Sequence, residues 1–187
     1  VLRAFLMSID LKLKQPVVPG DQLDPNTAQT PGMNRAAAIN LARVGAQKIW
    51  AGTVAIEPDA KTGVHHHGAL ESVIYVVRGR ARMRWGERLE FVAEAGPGDF
   101  IYVPPFVPHQ EINASPDEAL ECVLVRSDNE AVVVNITDIE PVERPAQQKG
   151  SAVYYVVRSG VKVYVARDGA IGDAELLGMS IADSTNA

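Results

Sequence analysis

Cysteine is nearly absent: Cys122 stands alone among 187 residues. The chain therefore cannot staple itself with an internal disulfide and needs no oxidising compartment, so a cytoplasmic location is the expectation. The thiol sits in the run Leu120-Glu-Cys-Val-Leu-Val125, which reads as a strand, and an inert buried thiol suits that setting better than a nucleophile. No apolar stretch approaches the ~20 residues that span a bilayer. Residues 1–7 are apolar but shorter than a signal peptide, with Met7 a candidate native start. Positive charge is not in excess either. A formal net charge of -5 and a pI near 5.4 argue against nucleic acid or an anionic membrane as the main partner. No helix pair or basic segment suited to DNA stands out, which weakens a transcriptional sensor. The length suits one domain with extensions.

Histidine is scarce too, yet its placement is the most informative feature of the chain. Of four histidines, three are consecutive in His65-His66-His67-Gly68-Ala69-Leu70-Glu71, and the fourth, His109, closes Gly98-Asp-Phe-Ile-Tyr-Val-Pro-Pro-Phe-Val-Pro108-His109. Imidazole nitrogens with a carboxylate suit a first-row transition metal, whereas calcium and magnesium prefer all-oxygen sites. On a strand, residues two apart share a face, so His65 and His67 point together and His66 points away, to an outer face or rim. A one-residue slip of register would exchange these roles.

These segments resemble the cupin superfamily. Its first motif, roughly G-x-H-x-H-x3-E with a closing glycine, is matched by Gly63, His65, His67, Glu71 and Gly79. Its second is matched by Gly98, Pro104, His109 and Asn113, with Phe106 where the motif has a turn glycine. The motifs cover residues 63–113, and the resemblance runs from about 49 to 139. It implies an all-β fold, a double-stranded β-helix or jelly-roll barrel, with one divalent transition metal (iron, manganese, nickel, copper or zinc) held by His65, His67, Glu71 and His109.

The pattern of the chain agrees with that architecture. Residues 1–45 read as an N-terminal arm broken by Pro16, Pro19, Gly20, Pro25, Pro31 and Gly32, with 35–46 open between a short helix and a strand. Residues 46–140 form the barrel, with short strands expected at 48–57, 64–67, 72–77, 81–85, 88–93, 99–103, 109–113, 119–126 and 132–136. Residues 141–187 read as a linker and a C-terminal β-hairpin extension, 153–157 with 162–166, before a polar frayed end at 181–187. That hairpin echoes 73–78, but no second H-x-H follows it and about forty residues cannot build a second barrel.

Alternation assigns provisional faces. Tyr75, Val77, Gly79, Ala81, Met83 and Trp85 share the parity of Glu71 and are expected inside; Arg78, Arg80, Arg82 and Arg84 then form a solvated face paired with Glu87, Glu90 and Glu94. Apolar residues on both faces of 73–77 suggest a covering sheet or subunit, so a homodimer is expected. Trp50, Tyr102 and Phe106 are read as core before pocket wall, and Asn113 as a turn former. Glu111 shares the parity of His109, which makes it the candidate catalytic carboxylate, as general base or as partner of a ligand imidazole; a loop-facing Glu111 would do neither.

One fold hosts many chemistries, and the resemblance implies dioxygenases, decarboxylases, isomerases and lyases. The favoured reading is a metal-dependent oxidoreductase of dioxygenase type acting on a small organic substrate. An isomerase, lyase or decarboxylase on a sugar or organic acid is the alternative, and a non-catalytic small-molecule-binding cupin is the second.

Overall fold

The computed structural model describes residues 17–27, 29–30, 32–129 and 132–148, together with the backbone of Tyr154–Arg158 and Val161–Val165. The strands are β1 (Met33–Ile39), β2 (Trp50–Ile56), β3 (His65–His66), β4 (Ser72–Arg78), β5 (Ala81–Trp85), β6 (Phe91–Ala95), β7 (Phe100–Val103), β8 (His109–Asn113), β9 (Leu120–Arg126), β10 (Val134–Asn135) and β11 (Ala146–Gln147). One sheet has the order β1-β2-β9-β4-β7 and faces a second of order β10-β3-β8-β5-β6-β11. The crossing of sequence neighbours between two facing sheets is the jelly roll expected. A separate antiparallel pair, β12 (Tyr154–Arg158) and β13 (Val161–Val165), is the expected hairpin. The apolar start at 1–7 and the polar end at 181–187 lie outside the described residues.

Residues 35–46 resolve into strand and a single helical turn. β1 alternates buried Met33, Arg35 and Ala37 with outward neighbours and pairs antiparallel with β2, so the arm expected over 1–45 contributes a strand to the first sheet. A turn of helix, α1 (Leu41–Val44), follows; the Asn40 side chain accepts a hydrogen bond from the Arg43 N–H, and Gly45 ends it at φ 78°. The close β1–β2 approach depends on Gly52, where a Cβ would overlap the Ala36 carbonyl oxygen and meet the Trp50 ring.

Between the sheets lie Met33, Val54, Ile56, Ile74, Val76, Met83, Leu120 and Leu124, among others. Burying each large aliphatic side chain stabilises the fold by about 1.5–3 kcal/mol. Strand β4 presents Ser72, Ile74 and Val76 inward, which leaves Glu71, Val73 and Val77 exposed and Tyr75 half-buried against Phe100. The expected interior placing of Tyr75 and Val77 is thus corrected, whereas Ala81 and Met83 do face the core. Parity changes because the β4–β9 register shifts between Val76 and Arg78, and Gly79 then turns the chain at φ 84°. Of the arginine row, Arg80 and Arg82 pair with Glu94 as expected, whereas Arg78 pairs with Glu118 and Glu121 and Arg84 donates to the carbonyls of Leu89 and Val142. Cys122 is buried, and burial pushes its thiol up to about 12, which keeps it inert. No helix among the described residues is long and apolar enough to cross a membrane.

Candidate metal centre

Two cross-strand rows meet at one level of the barrel. On one sheet His65 of β3 pairs with His109 of β8, which pairs with Trp85 of β5. On the other, Trp50 of β2 pairs with Arg126 of β9, which pairs with Ser72 of β4. His65, His67 and His109 are all buried, and their ring centroids stand 4.4 to 5.1 Å apart. His66 takes the opposite face: its Nδ1 accepts from the Gly68 N–H and its ring lies 5.9 Å from Phe106. The alternation read from the sequence therefore holds through the triplet.

The hydrogen bonds determine which nitrogen each ring offers. His65 Nδ1 lies 3.0 Å from the Gly63 carbonyl and His109 Nδ1 lies 2.8 Å from the Val107 carbonyl. A carbonyl can only accept, so both Nδ1 atoms carry a proton, and in that neutral tautomer Nε2 presents a lone pair. Neither Nε2 has a hydrogen-bond partner, although both are buried. Leaving such a group unsatisfied costs about 1–3 kcal/mol, and a cation on the lone pair removes that cost. For His67 the Nδ1 stands 2.8 Å from Ser72 Oγ, and Nε2 stands 3.1 Å from Arg126 Nη2. A guanidinium can only donate, so this Nε2 is also unprotonated.

The fourth donor is Glu111. Its Oε2 lies 3.6 Å from His65 Nε2 and its Oε1 4.0 Å from His109 Nε2. Potential ligand atoms from His65, His67, His109 and Glu111 all fall within 4.8 Å of one another, a set that suits one divalent transition metal. Thr62 holds the carboxylate: its hydroxyl donates to Oε2 at 3.1 Å, and its backbone N–H donates to the Glu111 carbonyl at 2.9 Å. Burial pushes the Glu111 carboxyl up, but the charges of His65 and His109, the Thr62 hydrogen bond and Arg35 together bring it below its ordinary value. Burial holds the His67 imidazole far below its usual range, with the charges of His109 and Arg126 adding. His109 is pushed down to about 4, chiefly by burial and against the pull of Glu111. Neutral rings beside an ionised carboxylate are the protonation states that metal binding requires.

Glu71, expected among the ligands, is not brought to this group. Its side chain is exposed, and its carboxylate accepts a 2.5 Å hydrogen bond from the Tyr102 hydroxyl. Only three residues separate His67 from Glu71, and Gly68 turns the chain at φ 59°, so Ser72 rather than Glu71 enters the barrel. Trp50 is buried, as expected of core, whereas Tyr102 and Phe106 are 37% and 51% exposed. Phe106 adopts φ 60°, the left-handed conformation that the motif's glycine would take at no cost. Asn113 is more than a turn former: its amide donates to the carbonyls of Ile56, Glu57 and Glu118, tying β2 to the loop before β9.

Two buried arginines were not anticipated. Arg35 on β1 and Arg126 on β9 are 2% and 1% exposed. A signal was present in β9, where Leu120, Cys122, Leu124 and Arg126 form one inward series, and the same holds for Met33, Arg35 and Ala37 in β1. Arg126 also lies over the Trp50 ring, 5.8 Å from its centroid. Burial and the Arg35 charge bring Arg126 down to about 10, so it stays protonated at neutral pH.

Residues 52–126 match the family model described as a cupin domain. That stretch is a cupin domain. Its fold is shared by an uncharacterised Klebsiella pneumoniae protein with a double-stranded β-helix domain (16% identity, TM-score 0.52), the match covering 66% of this chain and 98% of that one. It is also shared by an oxalate decarboxylase of Lactobacillus farciminis (21% identity, TM-score 0.52), with 62% of this chain over 34% of that one. The polyketide cyclase RemF of Streptomyces resistomycificus is similar at 20% identity and TM-score 0.51, with 62% and 80% covered. Among curated proteins none matches the sequence. At these identities the likeness speaks for the cupin fold, and chemistry has to be argued from the barrel's own residues.

Proposed function

We propose that this cupin is a metal-dependent enzyme, an oxidoreductase of dioxygenase type acting on a small organic molecule. The observation that carries the reading is the pair of buried, partnerless Nε2 atoms on His65 and His109, facing the Glu111 carboxylate. His65, His67, His109 and Glu111 would hold the ion. When bound, a redox-active first-row metal with four protein ligands supplies open positions for an organic substrate and dioxygen together. The carbonyls of Gly63 and Val107 and the Ser72 hydroxyl orient the three imidazoles, which lowers the reorganisation needed on binding. Glu111, fixed by Thr62, is the candidate base, so the same carboxylate would serve as ligand and as proton acceptor. The apolar outer face of Val73, Val77, Phe100 and Tyr102 on strands β4 and β7, with β7 at the sheet edge, supports a homodimer.

The test is elemental analysis of protein purified without chelators or a nickel column, followed by oxygen-uptake assays on small organic acids and enols. About one equivalent of iron, copper, nickel or manganese per chain, lost in His109→Ala, with oxygen consumed on turnover, is the expected result. Turnover without oxygen uptake would replace the dioxygenase by a lyase or decarboxylase. Zinc would point to isomerisation or hydrolysis, and absence of metal in the wild-type protein would leave a binding protein.

A further inference from the structure

Between the two sheets, on the side of Glu111, the barrel keeps a cavity of about 20 Å3, room for one molecule of water's size. Its wall is aliphatic and sulfur-bearing, with Met33, Ile74, Met83, Cys122 and Leu124 among the side chains that line it. A buried water needs about two to four polar partners, and this wall does not supply them. Of the two charged residues on it, Arg82 turns its guanidinium out to Glu94, with Nε 2.9 Å from Oε1. The other, Glu111, accepts the Thr62 hydroxyl at 3.1 Å and faces the imidazoles of His65 and His109. The Cys122 thiol is a weak donor at best. All the lining residues lie on strands, whose N–H and C=O groups point along the sheets towards neighbouring strands and not into the space between the sheets. A water placed here would give up hydrogen bonds that it could not replace, so the cavity favours an apolar occupant.

Size and position narrow that occupant. A space made for one water takes a diatomic molecule and no organic substrate. Glu111 follows His109 by two residues on β8 and stands in register against Met83 of β5. One side chain therefore closes a side of the cavity and also presents its carboxylate to the imidazoles, so a molecule in the cavity lies against the group that would share the metal.

We propose that this cavity is a dioxygen site, an apolar pocket that draws O2 out of water and holds it behind Glu111, beside the metal position. The inference rests on the dioxygenase reading above and adds where that co-substrate waits. A non-polar gas gains from leaving water for an apolar wall, and no polar group of the wall has to be stripped of a partner to admit it. Met33, Ile74, Met83, Cys122 and Leu124 are binding residues in this scheme and touch no reacting atom of the organic substrate.

The test uses the full chain labelled with 13C at its methionine methyls and supplied with Zn2+, so that any ion on the imidazoles is diamagnetic. Dissolved O2 is paramagnetic and speeds the relaxation of methyl groups that it touches; nitrogen at the same pressure is the blank. Met33 and Met83 both line the cavity, so their methyl groups should relax about threefold faster or more under oxygen. Ala81 is also on the wall, and Ala81→Val, which adds two methyl groups to it, should reduce that enhancement by about threefold or more with the fold retained. If that variant does not fold, Val54→Ile fills the space from β2 by a single carbon, and a reduction of about twofold or more is expected. No enhancement in the wild type, or an equal one in a folded filled variant, would overturn the inference and leave the dioxygenase reading standing. Oxygen held in the cavity of a protein whose turnover consumes none would overturn the dioxygenase reading, and the cavity's role with it.

Discussion

Acid should weaken the metal-free protein well above the pH at which carboxylates titrate, because burial holds His67 and His109 neutral. His109 has a folded-state value of about 4 against 6.5 for an ordinary imidazole. Between those two values the unfolded chain binds a proton that the folded chain refuses, so stability rises with pH and is lost as pH falls. Integrating the difference, His109 contributes a loss of about 2 kcal/mol between pH 7 and pH 5, growing to about 3 kcal/mol by pH 4. The group is 1% exposed, so solvent screening does not reduce the figure much. His67, shifted the same way by burial, adds to the loss. Glu111 and Glu94 are shifted below the ordinary carboxylate value, so their losses begin only at lower pH.

Urea unfolding of chelator-treated protein at pH 7 and pH 5 reads this directly. The expected drop is about 2 kcal/mol or more for the wild type, and smaller by about 2 kcal/mol in His109→Gln, which keeps a polar side chain and cannot titrate. A wild-type drop under about 0.5 kcal/mol would mean that His109 is freely protonated in the fold. An equal drop in the variant would assign the effect to other groups. Either result would remove the argument that neutral rings present bare Nε2 atoms to the barrel centre.

Other consequences are open to measurement. Glu71→Gln should leave metal affinity within about twofold, whereas Glu111→Gln should weaken it by about ten- to a hundredfold, as chelator competition would show. His109→Ala should strip the metal yet keep a cooperative thermal transition and a β-sheet circular dichroism spectrum. Gly52→Ala, whose methyl would overlap the Ala36 carbonyl, should destabilise the barrel by about 2 kcal/mol or more in denaturant titration. Light scattering should give the mass of two chains for the wild type, and Phe100→Glu, on the exposed apolar face of β7, should shift it towards one.

Much of this barrel could be read from local pattern because its strands are short and their turns are punctuated. The triplet His65-His66-His67 obeys simple alternation, and so does the step from His109 to Glu111, since each pair lies within or directly beside a single strand. Reading failed where parity had to be carried through a turn. Gly68 at φ 59° and Gly79 at φ 84° each reset which face comes next, and backbone angles of that kind leave no periodic trace. Strand β1 was ambiguous for another reason: an alanine-rich stretch is locally content as helix, and its pairing with β2 decides the matter through contacts distant in sequence. Arg35 and Arg126 were overlooked because a charged residue at an inward position reads as an interruption of the apolar series, when it was the series that showed where the charge pointed.

Glu111 rather than Glu71 beside the imidazoles changes more than the name of the proposed ligand. A carboxylate at position 71 would follow a turn and could adjust its reach. Glu111 comes instead from the middle of β8, two residues from His109, with its backbone in register against Met83 and its oxygen held by Thr62. Its position is thus tied to the same strand that positions an imidazole, so the distance between those two donors is set by the sheet. Ser72, entering where the turn delivers the chain, takes the hydrogen bond at His67 Nδ1. The third imidazole is thereby held from behind by a neutral hydroxyl, while Arg126 faces it from the front. A positive group thus occupies the ligand face of His67, and an ion taken up on its Nε2 would have to displace the Arg126 Nη2 hydrogen bond.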